Sequence, residues 1–548
     1  MLARSIISLV AVVSRAKAAV IEPRATTTTL VTSTSTSTGP NWFQTSPESY
    51  AGAVETGIAP FLVEVNPVTF SGVSYAPNSP LQTSEPIKGA NGRDIFHIMG
   101  NEGPYHSPEE GFGVDEYPLP KGANITQMHM LHRHGSRYPG DNSLSTWAAE
   151  IANATASTRF TGELAFFNDY TYSLGENSLV PLGRQELFES GVLNWYNYGQ
   201  LYNNSTKLVA RTTTSDRMLK SAENFLAGFF GLEWTENANL LPIIEEAGFN
   251  NSLIGTYGCA NALTYQESSA MALPYKEWEA IYLKDRTIAL QQWAGDYNWT
   301  TSDSYNAQML CSAETVALGW SEICQLFTYE EWEGFAYYSD LSFAQTVGFQ
   351  SPTGRAQGIA WVEEFIARIE GHLLENTETD ANMTLDTNPE TFPIQSLYLD
   401  FTHDGGIVTT LTALGFEQFK ELLPGSGPPA NHQFQSSKIV PFAGRMNIEI
   451  IKAPGMVSTK RSTKERNAKD VYVSGTNETT YIHVLLNQRT VPLHASFSAC
   501  EYRDDGWCEL DTFMRIQKES LEKSKFDYTC NGNWTYGGFG TVTDGVPT

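Results

Sequence analysis

Three short apolar segments, each ending abruptly in a polar turn, constrain the fold of this chain more than any other feature. NITQMHML (124–131) has the composition of a strand and stops at an Arg-His-Gly run, and SLYLDFTHDGG (396–406) alternates apolar residues before a His-Asp-Gly-Gly break. A third stretch (207–231) starts as a strand, turns through Thr and Ser, and continues as an amphipathic helix with Ser215 as a plausible N-cap. Strands alternating with helices predict an α/β fold with a mainly parallel sheet flanked by helices.

The remaining sequence divides into segments of different character. Residues 26–38 are a low-complexity Ser/Thr run, typical of an extended O-glycosylated stalk. Residues 235–345 are mostly helical in pattern and hold three cysteines, which indicates an inserted helical domain. The predicted organisation is a signal peptide at 1–18, a Ser/Thr/Pro-rich arm at 19–95, an α/β core at 96–234 and 346–535, a smaller helical insertion at 235–345, and a C-terminal tail at 536–548.

The first residues predict export from the cell. Arg4 supplies a basic start, Ser5–Ser14 an apolar run, and Ala16-Lys17-Ala18 a small-x-small cleavage site, the three parts of a secretory signal. No later segment offers the ~20 consecutive apolar residues of a transmembrane helix. We therefore expect a secreted protein that is extracellular or associated with the cell wall. The candidate N-glycosylation sites, of which the overlapping pair 203/204 can carry one glycan, are Asn124, Asn153, Asn203, Asn204, Asn250, Asn298, Asn382, Asn477 and Asn533.

The cysteines agree with an oxidising destination. The chain has six, an even number, and six cysteines allow fifteen pairings that sequence alone cannot decide between. Proximity in the sequence suggests two local bridges and leaves one distant pair. The candidate disulfides are Cys311 with Cys324, Cys500 with Cys508, and Cys259 with Cys530.

The charge balance excludes two classes of partner. The formal net charge is −26 at pH 7, so the long-range field repels nucleic acid and anionic membrane surfaces. We expect neither as a partner, and the sequence does not define an oligomeric state.

The densest cluster of chemically active side chains is MHMLHRHGSRYPGD (128–141). A metal site is disfavoured because His129 and His132 would point to opposite faces of a strand. Arg133 and Arg137 would also place two fixed positive charges beside a cation, and the Cys or carboxylate ligands that usually complete a zinc site do not occur locally. We therefore predict no metal here.

A phosphate site explains the same residues better. Arg133 and Arg137 can donate bidentate, charge-assisted hydrogen bonds to phosphoryl oxygens, and Gly135 lets the backbone turn closely beside an anion. His134 lies between the arginines where the strand ends, and ligands of α/β sheets bind outside the carboxyl ends of strands. The alternative is a polar surface loop without function.

Two further sites carry weight through their placement. His403-Asp404 also follows a strand, and although such a dipeptide is often a solvated turn, it could supply a proton donor beside a histidine nucleophile. Arg211 ends the strand KLVAR and is a candidate for the same phosphate site. Arg217 lies inside the following helix, and we predict a structural role for it.

These residues together resemble a known family. RHGSRYP (133–139), RTTTSDR (211–217) and THDGG (402–406) are similar to the motifs of the histidine acid phosphatases, in particular fungal secreted acid phosphatases and phytases. The similarity extends over roughly residues 94–535. It implies a phosphoglycerate-mutase-like α/β core with a helical insertion, and catalysis without a metal or other cofactor.

The resemblance also implies a role for each matching residue. His134 would be the nucleophile that forms a phosphohistidine, and Asp404 the acid that protonates the leaving alcohol. Flanking arginines lower the pKa of a histidine and so keep its lone pair free at acid pH. The phosphate-binding residues implied by the family are Arg133, Arg137, Arg211 and His403. The cysteine pairs suggested above fit the family pattern, although one bridge common in fungal phytases has no counterpart here.

Two departures from the fungal phytases bear on the substrate. Gly405 stands where these enzymes often carry an asparagine that helps to hold phosphate. The lysines that commonly surround their site are missing from the corresponding segments at 139–154 and 339–358. A substrate with six phosphates would gain most from such a positive rim. We therefore expect an enzyme for simple phosphate monoesters, with phytate (myo-inositol hexakisphosphate) as the alternative substrate.

Two other classes of function, a binding protein and a phosphomutase, fit the sequence less well. A non-catalytic glycosylated binding protein of the cell surface would not need the complete set of catalytic residues, and a phosphomutase would find few substrates outside the cell. The basic segment KRSTKERNAK (460–469) is predicted to be a solvated loop. It could otherwise be a processing site at Lys460-Arg461 or a contact for an anionic polymer.

Overall fold

A mixed eight-stranded sheet organises the fold. The computed structural model describes residues 81–83, 85–267, 273–463 and 471–548, all within the compact unit Ser74–Thr548. The predicted signal peptide and the Ser/Thr run at 26–38 lie outside the described residues. The strands are β1 Asn124–Arg133, β2 Leu208–Thr213, β3 Ala238–Ile243, β4 Leu397–Thr402, β5 Arg445–Ala453, β6 Thr479–Leu486, β7 Arg489–Thr490 and β8 Cys508–Glu509.

Helices flank this sheet, as the alternating sequence pattern predicts. They are α1 Ser143–Ser157, α2 Pro181–Tyr198, α3 Asp216–Phe230, α4 Ala260–Glu267, α5 Leu273–Tyr282, α6 Lys284–Gln291, α7 Thr301–Leu318, α8 Tyr329–Thr346, α9 Gly354–Glu370, α10 Met383–Asp386, α11 Asp404–Leu414, α12 Ser436–Ile439, α13 Leu510–Ser524 and α14 Phe526–Asn531.

The sheet has a parallel part and an antiparallel part. Its strand order is β3-β2-β4-β1-β5-β6-β7, with β8 also paired to β6. The four strands from β3 to β1 are parallel, whereas β5 runs antiparallel to β1 and β6 antiparallel to β5. The α/β prediction is therefore confirmed. Because β1 and β4 are adjacent and parallel, the turns that follow them lie side by side.

From Met128 to Arg133, strand β1 is buried on both faces, and its side chains alternate between them. Met128 and Met130 pack with residues of α2 and α3, while Leu131 belongs to the core formed with α9 and α11. His129 stacks on Tyr398 at 4.6 Å between ring centroids. Alternation of this kind places the histidines of β1 in different environments before any chemistry is considered.

Two helices show polar residues in roles that the sequence does not reveal. Ser215 occupies the predicted N-cap position of α3, yet its hydroxyl makes no capping hydrogen bond. Helix α9 buries an apolar face that includes Ile359, Val362, Phe365 and Ile366. Its polar side is buried as well, since Glu364 and Arg368 are 1% and 2% exposed. Both side chains are buried because they form ion pairs with each other and with Arg211 and Asp400.

Two predicted domain boundaries differ from the packing in the structure. The insertion is predicted at 235–345, but β3 (Ala238–Ile243) pairs in parallel with β2, so the sheet continues through Ile243. The arm is predicted at 19–95, but Ile87, Ala90 and Ile95 are buried in a core cluster with α7. Apolar side chains in both segments pack against neighbouring elements of the core. The sequence does not show this packing, because the segments are short and have no regular apolar pattern.

The helical part packs against the core and is capped by side chains. Thr300 at the start of α7 and Thr328 at the start of α8 each form a capping box with the acidic residue three positions on. Glycine at position 100 allows a turn to approach α8 closely. A Cβ there would lie 2.6 Å from Ser339 Cβ, and the φ of 57° favours glycine.

The three predicted disulfides are present. They join Cys259 to Cys530, Cys311 to Cys324, and Cys500 to Cys508, so no cysteine is free. Eight of the nine sequon asparagines are exposed, and Asn382 is half-buried. Glycosylation itself stays a prediction. Among the residues that the structure describes, no helix combines the length and apolar character that crossing a bilayer requires.

The start of the basic segment is held in the fold. Only residues 460–463 of the segment 460–469 lie among the described residues. Arg461 pairs with Asp505 at 3.1 Å and lies 5.1 Å from the centre of the Trp507 ring, with a side chain that is 2% exposed. A protease could not reach this side chain in the folded protein, so a processing site at Lys460-Arg461 is not supported.

Candidate active site

The site forms where β1 and β4 end. Arg133 is in register with Thr402, and the backbone N–H of His134 donates to the carbonyl of Thr402 at 3.2 Å. The next residue after β4 is His403, whose ring centroid lies 5.5 Å from that of His134. Two histidines from distant parts of the sequence therefore share one edge of the sheet, as expected for neighbouring parallel strands.

The motif's glycine has a packing role that the sequence does not suggest. A Cβ at Gly135 would lie 2.2 Å from the carbonyl oxygen of Gly183 in α2. In turn, Ser136 donates its N–H and its hydroxyl to the buried carboxylate of Glu186. The turn after β1 is thus pressed against α2, which fixes the direction of the His134 backbone.

His134 is buried and held in one tautomer. Its Nδ1 lies 2.9 Å from the carbonyl oxygen of Gly135, which can only accept, so Nδ1 carries the hydrogen. The lone pair of Nε2 is then free for a reaction partner. Burial, followed by the charges of Arg133 and Arg137, lowers the pKa of His134 well below its usual value. This shift favours the neutral ring, which a nucleophile requires.

Three arginines surround this histidine, and each has an N–H donor without a hydrogen-bond partner in the part of the chain that the structure describes. Arg133 is fully buried beside Phe442, and its Nη1 donates to the carbonyls of Asn101 and Val440. The Nε groups of Arg133, Arg137 and Arg217 are all buried without an acceptor among the described residues. Buried donors of this kind are costly unless a ligand satisfies them. Two of these arginines, Arg137 and Arg217, line the cavity that His134 also lines, and Arg133 lies directly before His134, which indicates an anion-binding site.

Arg217, predicted to be structural, lines this cavity together with His134 and Arg137. It lies in the first turn of α3, and its Nη1 donates to Asn177 Oδ1 at 2.8 Å. Its Nη2 approaches His403 Nδ1 at 3.4 Å. Position offered a usable signal, because the first turn of a helix that follows a strand is a common place for anion binding.

Arg211 does not reach the cavity, and its predicted place in the phosphate site is wrong. Its Nε and Nη2 donate to the two oxygens of Asp400 at 2.8 and 2.9 Å, and Nη2 also donates to Glu364 at 2.5 Å. Burial alone would lower the pKa of Arg211, but these carboxylates raise it well above its usual value. Arg211 is in register with Asp400 on the adjacent strand, so the two charges neutralise each other inside the sheet.

His403 and Asp404 start helix α11, with His403 at the N-cap. His403 Nε2 lies 2.9 Å from Glu245 Oε2, a contact that fixes the orientation of the ring. Glu245 lies two residues after the end of β3, and the sequence prediction missed it. Its pKa is lowered, because the contact with His403 and the charge of Arg217 outweigh the effect of burial.

The Asp404 carboxylate lines the same cavity as His134 and is surrounded by donors. Oδ1 accepts from the N–H of Gly405 at 2.8 Å, and Oδ2 accepts from Asn101 Nδ2 at 3.2 Å. Arg133 Nη2 is 2.6 Å from Oδ2 as an ion pair, outside hydrogen-bond geometry. Burial raises the pKa of Asp404, but the charges of Arg133 and His403 lower it by more than burial raises it. The pKa of Asp404 therefore lies below its usual value.

The other two histidines of the motif serve the core. His129 is enclosed by Phe365 and Tyr398, and burial lowers its pKa well below the usual value. His132 points to the opposite face, where its Nε2 lies 2.8 Å from Ser190 Oγ. Within the described ranges, no group of three or more His, Cys, Asp or Glu side chains is arranged to hold a metal ion.

The cavity has both charged and apolar residues in its lining. Its volume is about 480 Å³, and its charged and titratable lining includes His134, Arg137, Arg217, His403 and Asp404. None of the described residues that line it is a lysine. The lining also contains the side chains of Ile254, Tyr257, Leu263, Phe343 and Val347.

Known proteins share both the sequence and the fold of this chain. Residues 124–487 match the family described as the histidine phosphatase superfamily (branch 2). The chain is 29% identical over 462 residues to phytase A of Aspergillus oryzae, covering 80% of this chain and 90% of that protein. It is 26% identical over 463 residues to an acid phosphatase of Schizosaccharomyces pombe, covering 80% of this chain and 92% of that protein.

A solved structure agrees. The crystal structure of the phytase from D. castellii has a TM-score of 0.63 at 22% identity, covering 80% of this chain and 88% of that one, and it therefore has the same fold. The family match spans most of the chain and includes both strand-end motifs. The chain therefore belongs to branch 2 of the histidine phosphatase superfamily, and it is a phosphoric monoester hydrolase.

Proposed function

We propose that this protein is a secreted acid phosphatase that hydrolyses phosphate monoesters through a phosphohistidine at Nε2 of His134. The observation that carries the proposal is a neutral, buried histidine whose reactive nitrogen is free and whose surroundings supply unsatisfied arginine donors. Such donors bind a phosphoryl group and stabilise the charge on its equatorial oxygens during transfer.

The chemistry takes two displacement steps. In the first, the Nε2 lone pair of His134 attacks phosphorus, the bond from phosphorus to the ester oxygen breaks, and Asp404 gives its proton to the leaving alcohol. In the second, water attacks the phosphohistidine, Asp404 takes a proton from that water, and the N–P bond breaks. Inorganic phosphate leaves, and both side chains return to their starting protonation states.

Asp404 must carry a proton to act as the acid, yet the charges of Arg133 and His403 outweigh burial and depress its pKa. A bound phosphate dianion resolves this conflict, because its charge compensates Arg133 and Arg137 and lies close to the carboxylate. A nearby negative charge raises the pKa of a carboxyl group. Substrate binding therefore promotes protonation of Asp404, and acidic solution favours it further.

The lining of the cavity supports simple monoesters as substrates. Several lining side chains are apolar, none of the described lining residues is a lysine, and Glu245 adds a negative charge. An inositol ring with five further phosphates would need counter-charges that this lining does not supply. Phytase activity is the second candidate, favoured by the phytase A relatives and by the fold shared with the D. castellii phytase.

One experiment tests both activity and substrate. Phosphate release from p-nitrophenyl phosphate, β-glycerophosphate and phytate would be measured from about pH 2 to about pH 8. We expect kcat/KM for the simple esters to exceed that for phytate, and His134→Ala to abolish turnover and acid-labile phosphorylation of the enzyme. Equal activity of His134→Ala and the parent would refute the nucleophile, and a much higher kcat/KM for phytate would establish the phytase.

Export is supported by the paired cysteines and by the exposed sequons. Expression in a fungal host should release the protein into the medium with a new N-terminus, and an endoglycosidase should reduce its mass. Retention of Met1 inside the cell would contradict export.

A further inference from the structure

Asn101, which lies in the 3-10 turn Gly100–Glu102, 32 residues before Arg133, contacts the proposed acid. Its Nδ2 donates to Asp404 Oδ2 at 3.2 Å, and its backbone carbonyl accepts from Arg133 Nη1. We propose that Asn101 is a positioning residue, held by a buried network from α8 and α12, which orients the carboxyl group of Asp404 toward the leaving oxygen. This inference rests on the proposed role of Asp404.

The turn that carries Asn101 cannot shift easily. The close approach of Gly100 to Ser339 presses the turn against α8. The backbone N–H of Asn101 donates to Ser339 Oγ at 3.3 Å, and the side chain is only partly accessible. Together with the bond from Arg133, these contacts hold the backbone of the turn on two sides.

The amide of Asn101 has one favourable orientation. Ser339 Oγ donates to Asn101 Oδ1 at 3.0 Å, so that atom must be the acceptor. The two hydrogens of Nδ2 then meet Glu102 Oε1 at 3.1 Å and Asp404 Oδ2 at 3.2 Å. A flipped amide would place its oxygen against two carboxylates, which is unfavourable.

A buried hydrogen-bond network holds Ser339, the residue that orients the Asn101 amide. Ser436 Oγ lies 2.8 Å from Ser339 Oγ, and the Ser436 N–H donates to Asp340 Oδ1 at 2.6 Å. His432 Nε2 lies 3.0 Å from the other Asp340 oxygen. Ser339, Asp340 and Ser436 are 8%, 2% and 0% exposed. Networks buried in this way are rigid, because every polar member depends on its partners.

During the reaction Asn101 can keep orienting the Asp404 carboxyl group, whereas Arg133 cannot. Once phosphate is bound, the free donors of Arg133 turn to the phosphoryl oxygens, and its hold on Asp404 weakens. Asn101 is neutral, so it can orient the carboxyl group while opposing its protonation less than a cation does. Its contribution should therefore appear where proton donation limits the rate, which is in esters with poor leaving groups.

The test compares two substrates that differ in leaving group. For Asn101→Ala, we expect kcat/KM for β-glycerophosphate to fall by roughly 5- to 10-fold, the effect of one lost hydrogen bond in the transition state. p-Nitrophenyl phosphate, whose leaving group needs little protonation, should change by less than about 2-fold. Ser339→Ala should shift the ratio in the same direction. Equal losses on both esters by Asn101→Ala would overturn the inference.

A second variant of the same size separates positioning from folding. Asn101→Asp places a negative charge beside Asp404, which should raise the pKa of the acid and move the alkaline limb of kcat for β-glycerophosphate to higher pH. An unmoved limb would refute the proposed contact. The matched control is Ser312→Ala, a buried serine of α7 whose hydroxyl donates to the Gln308 carbonyl, and it should leave the substrate ratio unchanged.

If the parent enzyme releases phosphate from neither ester, the proposed function fails. If the parent cleaves both and the Asn101 variants leave their ratio unchanged, only the positioning role fails.

Discussion

Two arginines six residues apart should show opposite phenotypes when each is replaced by methionine. Arg211 lies inside the sheet with Asp400 and Glu364, whereas Arg217 lines the cavity beside His134. Methionine keeps the length and apolar stem of arginine and removes its charge. Arg211→Met should therefore reduce stability, and Arg217→Met should reduce catalysis.

The magnitudes follow from the surroundings of each side chain. Removing one partner of a buried ion pair costs about 3–5 kcal/mol. The unfolding entropy of a unit of this size is about 1 kcal/mol per kelvin, so Tm should fall by about 3–5 °C in Arg211→Met. Because Asp400 has a depressed pKa, its ion pair stabilises the fold above about pH 4 and this stabilisation is lost at lower pH. The difference in Tm should accordingly shrink in strong acid.

Arg217→Met should lose one charge-assisted contact with the phosphoryl group, about 1.5–3 kcal/mol, or about 10- to 150-fold in kcat/KM. Burial and repulsion from Arg137 both lower the pKa of Arg217, so removing its charge should not destabilise the empty enzyme. Calorimetry and p-nitrophenyl phosphate hydrolysis at one acidic pH measure both effects. The reasoning is refuted if Arg211→Met loses activity at an unchanged Tm while Arg217→Met stays active.

Three further outcomes are expected. Asp404→Asn should slow hydrolysis of β-glycerophosphate far more than that of p-nitrophenyl phosphate, and a uniform loss in steady-state kinetics would contradict a proton donor. Burial raises the pKa of Asp380 well above its usual value, so the folded state keeps a proton that the unfolded state releases, and stability should decline as pH rises above about 4. Asp380→Asn should make this decline shallower in calorimetric pH series, and an unchanged slope would exclude Asp380 as its source. Replacing both Cys259 and Cys530 by serine opens a loop of sequence separation 271 and should cost about 5 kcal/mol, against about 3 kcal/mol for either local disulfide, as measured by chemical denaturation. Equal costs for all three would contradict the loop-entropy account.

The sequence was sufficient to locate one side of the site. Strand ends are visible as abrupt changes from apolar to polar residues, and parallel strands bring their carboxyl ends to one edge. That reasoning placed His134 and His403 together correctly, and it separated them from His129 and His132, whose alternation along β1 directs them into the core.

The positions of the strand ends do not show whether Arg211 or Arg217 reaches the cavity. Which arginine reaches the cavity depends on side-chain direction within β2 and on the phase of α3. A signal did exist, because Asp400 interrupts an apolar strand and requires a buried partner of opposite charge. Asn101 and Glu245 gave no such signal, since each lies in a loop far from the motifs in sequence and joins the site only through tertiary packing.

The position of β1 between β4 and β5 has a consequence for biosynthesis. Roughly 300 residues must be translated after β1 before its second neighbour, β5, is complete. At about 5–20 residues per second, the nascent chain carries this apolar strand with an unpaired edge for about 15–60 s. Chaperones that bind extended apolar segments should therefore associate with the growing chain, and a chain terminated before Ala453 should be retained by them rather than released.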